Sequence, residues 1–326
     1  MTVLNFRQLG EGDRVQHELL VLDRSEKKLP SGDSFVVLTL GNSTGQLSTA
    51  PIWPDKLHLA EGAERGRVVQ AIGQVSTYQR KRQLTLTSPL RVMPVGHARL
   101  EDFLPRIAME VQPLWDYVDR TRAEIESPRL RAAIDLFFGD DEFRVRFERT
   151  PGSVAGHHAR IGGLLLHVVE VTRIAKAAAK TMRVNADLVV AGALLHDVGK
   201  VEAYAVDATG FTHTTCGSLL GHVVLGCLML ERRMAALVAP ICSPGQLLDL
   251  QHMILSHHGL LEFGSPVQPM TAEAELVHWA DEASAKGNDM MEAIDDPEAF
   301  ASGGEISDRK SWRVNRRVWK RPHSWD

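Results

Sequence analysis

A small closed β-barrel followed by an all-α domain is the fold class that this 326-residue sequence predicts. Three observations predict it. About five short β-type runs crowd into the stretch between Gly12 and Pro94, and after Arg99 the apolar period lengthens from 2 to 3.6. The chain is also longer than one typical domain, and its 44% hydrophobic content can fill two cores.

The expected strands are 15–22, 34–40, 46–52, 67–75 and 83–88, separated by turn-forming segments at 22–33 and 41–45 that carry Gly, Pro, Asn and Asp. Five strands of this length suit an OB-type barrel, with an SH3-like barrel as the alternative on pattern alone. Beyond Arg99, Leu100, Phe103, Leu104 and Ile107 are followed at helical spacing by Leu114, Val118, Ile125, Leu130, Ile134, Phe137 and Phe138. Everything from there to about Ala293 reads as helices, punctuated at 139–140, 151–152 and 266–269. The organisation is therefore a barrel over 1–98, a helical connector over 99–152, the main all-α domain over 153–300 and a tail over 301–326. From Asp308 the tail holds seven Lys or Arg against two acids, with Trp312, Trp319 and Trp325 interleaved. It supports two readings: a strand-binding element, or a tail docked through its tryptophans with its charges solvated.

A net charge of −4 argues against a chain coated in basic surface, though not against a local basic groove. No apolar run approaches the ~20 residues that span a bilayer, and the opening residues lack a signal-peptide core, so a soluble cytoplasmic protein with no membrane partner is expected. Cys216, Cys227 and Cys242 form no Cys-x-x-Cys pair, which argues against a disulfide framework or a thiolate zinc site.

The 14 histidines carry the functional signal. His167 stands among aliphatics, and a nearly all-apolar helix ends on His196-Asp197. His222 opens the apolar run that follows Gly221, His257-His258 closes another, and Asp281 lies on the same helical face as Ala274. One such histidine is ordinarily a satisfied core residue. Several on separate buried helices, with an aspartate adjacent, point instead to a shared ligand, because an unpartnered polar group there is costly. Nitrogen and carboxylate donors without thiolate suit Mn, Fe, Mg, Co or Zn. Asp197 is the natural bridge between two ions, a pair that can generate hydroxide and stabilise an in-line phosphoryl displacement. Lys200 follows at the helix end, where an ammonium can reach a phosphate oxygen; its alternative role is to complement the helix dipole. His157 and His158 either touch substrate or metal or belong to a solvated loop.

These residues resemble the HD-domain metal-dependent phosphohydrolases, whose pattern is filled by His167, His196-Asp197 and Asp281, with His222 and His257 or His258 as the added histidines of the extended form. Longer runs are similar to the YhaM-type 3′-to-5′ exoribonucleases: Leu-Leu-His-Asp-Val-Gly-Lys, Leu-Leu-Gly-His, and Ile-Leu-Ser-His-His-Gly followed by Phe-Gly-Ser-Pro. The resemblance extends to Tyr78-Gln-Arg-Lys-Arg-Gln-Leu in the barrel and to the end pattern around Asn315–Lys320. One departure is Cys216 ahead of Gly217, where the family pattern leads one to expect an acid.

The resemblance implies an OB-type barrel joined to an HD domain over 153–300. It also implies two divalent ions, Mn²⁺ first, with Mg²⁺, Co²⁺, Fe²⁺ or Zn²⁺ as alternatives. The implied activity is removal of nucleotides from the 3′ end of single-stranded RNA, with single-stranded DNA and a homo-oligomer left open. The ligands would be His167, His196, Asp197, His222, His257 and Asp281, with Asp197, Lys200 and His258 catalytic. Between His257 and His258, periodicity leaves the choice open and the resemblance favours His257 as the ligand. His157, His158, Tyr78, Arg80, Lys81 and Arg82 would contact the strand, with Trp53 as a further stacking surface. The competing readings are a nucleotide or cyclic-nucleotide phosphohydrolase and a non-catalytic nucleic-acid-binding factor. A polymer substrate makes sense of the basic Tyr-Gln-Arg-Lys-Arg run, and a binding module has no need of six convergent ligands.

Overall fold

The computed structural model describes residues 4–325 apart from 7, 30–31, 80 and 208–209, so Arg80 lies outside the described residues. The chain forms two compact units: Met1–Pro105 with Val206–Gly210 and Ala293–Asp326, and Arg106–Ala205 with Phe211–Glu292.

In the first unit, β1 (Arg14–Lys28), β2 (Ser34–Asn42), β3 (Gly45–Ser48), β4 (Val68–Tyr78) and β5 (Lys81–Leu86) are antiparallel in the order 3-2-1-4-5. A two-residue β6 (Arg91–Val92) adds to β4. A parallel bridge between Thr49 and Leu84, with the Ala50 amide donating to the Leu84 carbonyl at 2.9 Å, draws the two ends together into a nearly closed OB-type barrel. Alternation does the work expected of it: Leu19, Val21, Leu38, Leu40, Val69, Ala71, Val75 and Leu84 all point inward to one core.

Three sequence expectations need correction here. β1 continues to Lys28 where a turn was expected, because Asp23–Lys28 pairs with Ser34–Thr39 after a bulge between Val21 and Asp23. That extension is held by backbone hydrogen bonds and leaves polar side chains outside, so no hydrophobic alternation marks it. β3 stops at Ser48, and Ile52 rejoins only through an isolated bridge to Val36. β6 is too short to leave any periodic trace.

The remaining chain forms α1 (Gln112–Glu124), α2 (Pro128–Phe138), α3 (Asp141–Arg149), α4 (Gly163–Ala179), α5 (Ala186–Leu195), α6 (Lys200–Ala203), the hairpin β7 (Tyr204–Asp207) and β8 (Gly210–His213), α7 (Thr215–Ala235), α8 (Pro244–Ser256) and α9 (Ala272–Asp295). Helix starts are written in the caps. Ser127 accepts from the Leu130 amide, Asp140 from Glu142 and Phe143, and Asn185 from Leu188, while Ser243 and Gln246 form a reciprocal capping box. Phe138 packs edge-on to Trp115, Phe143 and Phe147, and these rings share one core with Leu164, Val168 and Leu194 of α4 and α5. The uniformly helical reading up to Ala293 fails at the β7–β8 hairpin, whose strands are each four residues long and too short for a period to show. Among the described residues no helix is long and apolar enough to cross a membrane.

Candidate metal centre

Each candidate side chain sits at a helix end or on a buried helix face. His167 and Glu170 share one face of α4, being three apart, and Asp281 and Ser284 repeat that spacing on α9. His196 caps the C-terminus of α5 and Asp197 follows it; both are buried because Val189–Leu195 is buried on every side. α7 starts earlier than the sequence suggests, at Thr214, whose hydroxyl accepts from the Gly217 amide. It is broken at Gly221, with φ 73° and ψ 155°, a conformation only glycine adopts without strain. His222 therefore enters the site from a kink. Cys216 is exposed in the first turn of α7.

The imidazoles are oriented from behind. Nδ1–H of His196 donates to Ala193 O at 2.8 Å, that of His257 to Ile254 O at 2.7 Å and that of His258 to Phe263 O at 2.7 Å. With Nδ1 occupied in this way, each Nε2 carries a lone pair and faces the centre. His167 is held by a longer relay: its Nδ1–H donates to Ser284 Oγ at 3.1 Å, and Ser284 in turn donates to Glu170 Oε2 at 2.8 Å. His158 Nε2 meets the same Glu170 oxygen at 3.1 Å.

The donors fall into two groups around Asp197. On one side, His167 Nε2 lies 3.0 Å from Asp281 Oδ1 and 3.4 Å from His196 Nε2, and Asp197 Oδ2 is 3.4 Å and 3.2 Å from the two imidazoles. On the other, His222 Nε2 lies 3.2 Å from His258 Nε2, and Asp197 Oδ1 is 3.4 Å from His222 and 3.7 Å from His257. The donor atoms of His167, His196 and Asp281, and likewise those of His222, His257 and His258, lie within 4.8 Å of one another, which is ligand spacing for an ion. Among the described residues, the buried Asp197 Oδ1 and His257 Nε2 have no hydrogen-bond donor, while Asp197 Oδ2 meets the Lys200 ammonium at 2.6 Å. Buried polar atoms left in this way fit cation ligands.

The electrostatics favour the same conclusion. Burial opposes ionisation of Asp197, but Lys200 Nζ at 2.6 Å and the rings of His196 and His167 outweigh it and hold the carboxyl well below the usual range. Asp281 is likewise held ionised against burial, chiefly by His167. Burial pushes His222 down to about 3 and His257 well below its ordinary value, so both are neutral and able to ligate. Burial lowers His196, but Asp197, Asp281 and the Ala193 carbonyl together outweigh it and shift the imidazole upward.

The other expected residues are placed as follows. Lys200 is buried against Asp197, and the half-buried phenol of Tyr204 on β7 lies close enough to interact with it. His158 is fully buried at φ 51° and joins the Glu170 relay, while His157 is half-buried with its ring centroid 5.3 Å from that of His167. In the barrel, Tyr78 is 63% exposed and Lys81 is exposed, but Arg82 donates to Phe6 O at 3.2 Å and Leu9 O at 2.6 Å, which ties down the segment before β1. Trp53 packs against Phe35 at 5.1 Å. Sequence reasoning missed Glu170, Ser284 and Tyr204; the first two were signalled by their i+3 spacing from His167 and Asp281.

An HD-domain family model matches residues 164–286. Among characterised proteins, the "3'-5' exoribonuclease YhaM" of Bacillus subtilis strain 168 is 30% identical over 310 residues, covering 95% of this chain and 95% of its own. The protein of that name from Oceanobacillus iheyensis is 28% identical over 317 residues, covering 97% and 96%. That from Geobacillus sp. strain WCH70 is 30% identical over 316 residues, covering 95% and 92%. No solved structure matches the chain.

Proposed function

The chain belongs to the YhaM family of 3′-5′ exoribonucleases, and from that premise we propose that it hydrolyses single-stranded RNA from the 3′ end with two divalent cations held around Asp197. The observation that carries the reading is the division of Asp197 itself, with Oδ2 toward His167, His196 and Asp281 and Oδ1 toward His222 and His257. When bound, such a pair supplies a hydroxide nucleophile and neutralises the phosphate oxygens. Mn²⁺ is the proposed metal on the family resemblance, and imidazole and carboxylate donors without thiolate suit it as they suit Mg²⁺, Co²⁺, Fe²⁺ or Zn²⁺.

The protein's own groups prepare this chemistry. The Ser284–Glu170 relay and the carbonyls of Ala193, Ile254 and Phe263 hold the imidazoles in one tautomer and orientation. Lys200 keeps Asp197 ionised, so its reach toward a phosphate is shared with that carboxylate. Exposed Tyr78 and Lys81 are the barrel groups suited to a strand. Three free thiols accord with the reducing cytoplasm, the proposed location.

With Mn²⁺, RNA labelled at its 5′ end is expected to shorten progressively from the 3′ end with release of mononucleotides, and EDTA should stop the reaction. Single-stranded DNA and a panel of free and cyclic nucleotides run beside it test the other substrates. Turnover of nucleotides with the RNA left intact would replace this reading with the nucleotide phosphohydrolase.

His258 joins the proposed ligand set in addition to His257. The two are neighbours, but helix α8 ends at Ser256, and separate carbonyls on either side anchor the two rings. Alanine at either position should therefore lower bound metal per chain, as read by elemental analysis. Full metal content in His258→Ala, with turnover lost, would return His258 to a purely catalytic role.

A further inference from the structure

His278 on α9 is a half-buried imidazole that stands outside both groups of donors. Helix α8 ends at Ser256, and the turn that follows carries His257 and His258 into the site. Carbonyls at a helix end have no partner within the helix. That of His257 accepts the Nδ1–H of His278 at 2.8 Å. This carbonyl belongs to the peptide plane that joins His257 to His258, whose rings stand nearly perpendicular, at 87°, with centroids 4.4 Å apart. The plane is rigid, so holding it constrains the aim of both rings.

The next residue in the turn is fitted to the same imidazole. Gly259 has φ 75°, and a Cβ there would lie 2.3 Å, 2.4 Å and 2.6 Å from Cε1, Nε2 and Nδ1 of His278. The ring thus fills the space that a side chain at position 259 would need. The Gly259 amide donates to Ser256 O and the Leu260 amide to His258 O, each at 2.8 Å, which closes the turn on itself. An imidazole serving only to fill space needs neither the hydrogen bond to a ligand's carbonyl nor a glycine against its face. One turn after His278, α9 also carries Asp281, a member of the first group of donors. The same helix therefore supplies a ligand to one group and a brace to the other.

We propose that His278 is a positioning residue for the second cation: by holding the His257 carbonyl and lying against Gly259, it sets the aim of His257 and His258 toward His222. It acts through the peptide that joins two ligands and donates nothing to the ion itself. It rests on the two-cation reading above and adds which residue outside the ligand set controls the affinity of one position.

Two substitutions in the full chain separate the hydrogen bond from the packing. His278→Phe keeps a ring against Gly259 and removes the donor, whereas His278→Asn places an amide N–H near the position of Nδ1 and gives up the ring. Both variants and the wild type are titrated with Mn²⁺, followed through the electron paramagnetic resonance signal of the free ion, and unfolded thermally in EDTA. In His278→Phe the half-saturation of one position is expected to rise about tenfold or more, while His278→Asn stays within about threefold of the wild type. Turnover of RNA at saturating Mn²⁺ should approach the wild-type value in both, so that the loss lies in metal dependence and not in kcat. Wild-type Mn²⁺ affinity at every position in His278→Phe would overturn the role. Equal weakening in both variants, with an equal fall in melting temperature in EDTA, would also overturn it, since that marks a residue supporting only the fold. A wild-type stoichiometry of one ion would count against the two-cation reading, whereas the difference between His278→Phe and His278→Asn alone decides the role of His278.

Discussion

Replacing Asp197 with asparagine is expected to lower RNA hydrolysis by more than about a hundredfold and to reduce bound metal, because one carboxylate serves both groups of imidazoles. The substitution keeps the volume but removes the charge that His167, His196, His222 and His257 all face. It also leaves the Lys200 ammonium, 5% exposed, without its counter-ion. Breaking a buried pair in this way costs about 3–5 kcal/mol, so lost activity could reflect lost stability. The double variant Asp197→Asn with Lys200→Met separates the two. Removing both charges should restore much of the melting temperature and none of the turnover. Single-turnover kinetics, elemental analysis and thermal unfolding on both proteins make the comparison. More than about a tenth of wild-type turnover in the single variant, with its metal content unchanged, would take Asp197 out of the centre of the chemistry.

The second large effect is expected at Gly199, which lies between Asp197 and Lys200 with ordinary helical backbone angles. A Cβ there would overlap the carbonyl oxygen of His222 and the amide nitrogen of Gly226, both backbone atoms of α7 that no rotamer change can move. Gly199→Ala must therefore push α7 away, taking His222 from the cluster. Overpacking of this kind costs about 1–3 kcal/mol or more, and at this chain length the melting temperature should fall by roughly 2–5 °C. Metal content should fall with it. Gly287→Ala is the control, since a Cβ at that position in α9 meets nothing within 4 Å. There alanine should stabilise by about 0.5–1 kcal/mol through helix propensity. Equal melting temperatures for the two variants would mean that the α6–α7 approach is not tight.

Much of the candidate centre was legible because its residues break a pattern. His167, His196-Asp197, His257 and Asp281 stand out as titratable groups in runs that are otherwise buried and apolar, and burial makes such groups costly unless they share a partner. The same contrast is missing for Ser284, which has Glu282 and Lys286 nearby, and Glu170, though flanked by Val169 and Val171, reads on its own as the polar side of an amphipathic helix. Only the packing of α4 against α9 shows that they form one relay behind His167. Nor could spacing reveal that Arg82 would be drawn to the carbonyls of Phe6 and Leu9, because those acceptors are more than seventy positions away in the chain.

By itself the sequence determined the class of fold and the kinds of donor. Local periodicity decides whether a segment buries a stripe or alternate side chains, and donor chemistry decides what cation a cluster can hold. Tertiary structure alone decided that β1 continues to Lys28, that His258 turns toward His222 and that the two oxygens of Asp197 face opposite groups of imidazoles. It also decided that Val318, and not the tryptophans, anchors the C-terminal segment. Each of these depends on pairings between positions far apart in the chain, where backbone hydrogen bonds and steric fit choose among arrangements that local propensity leaves equal.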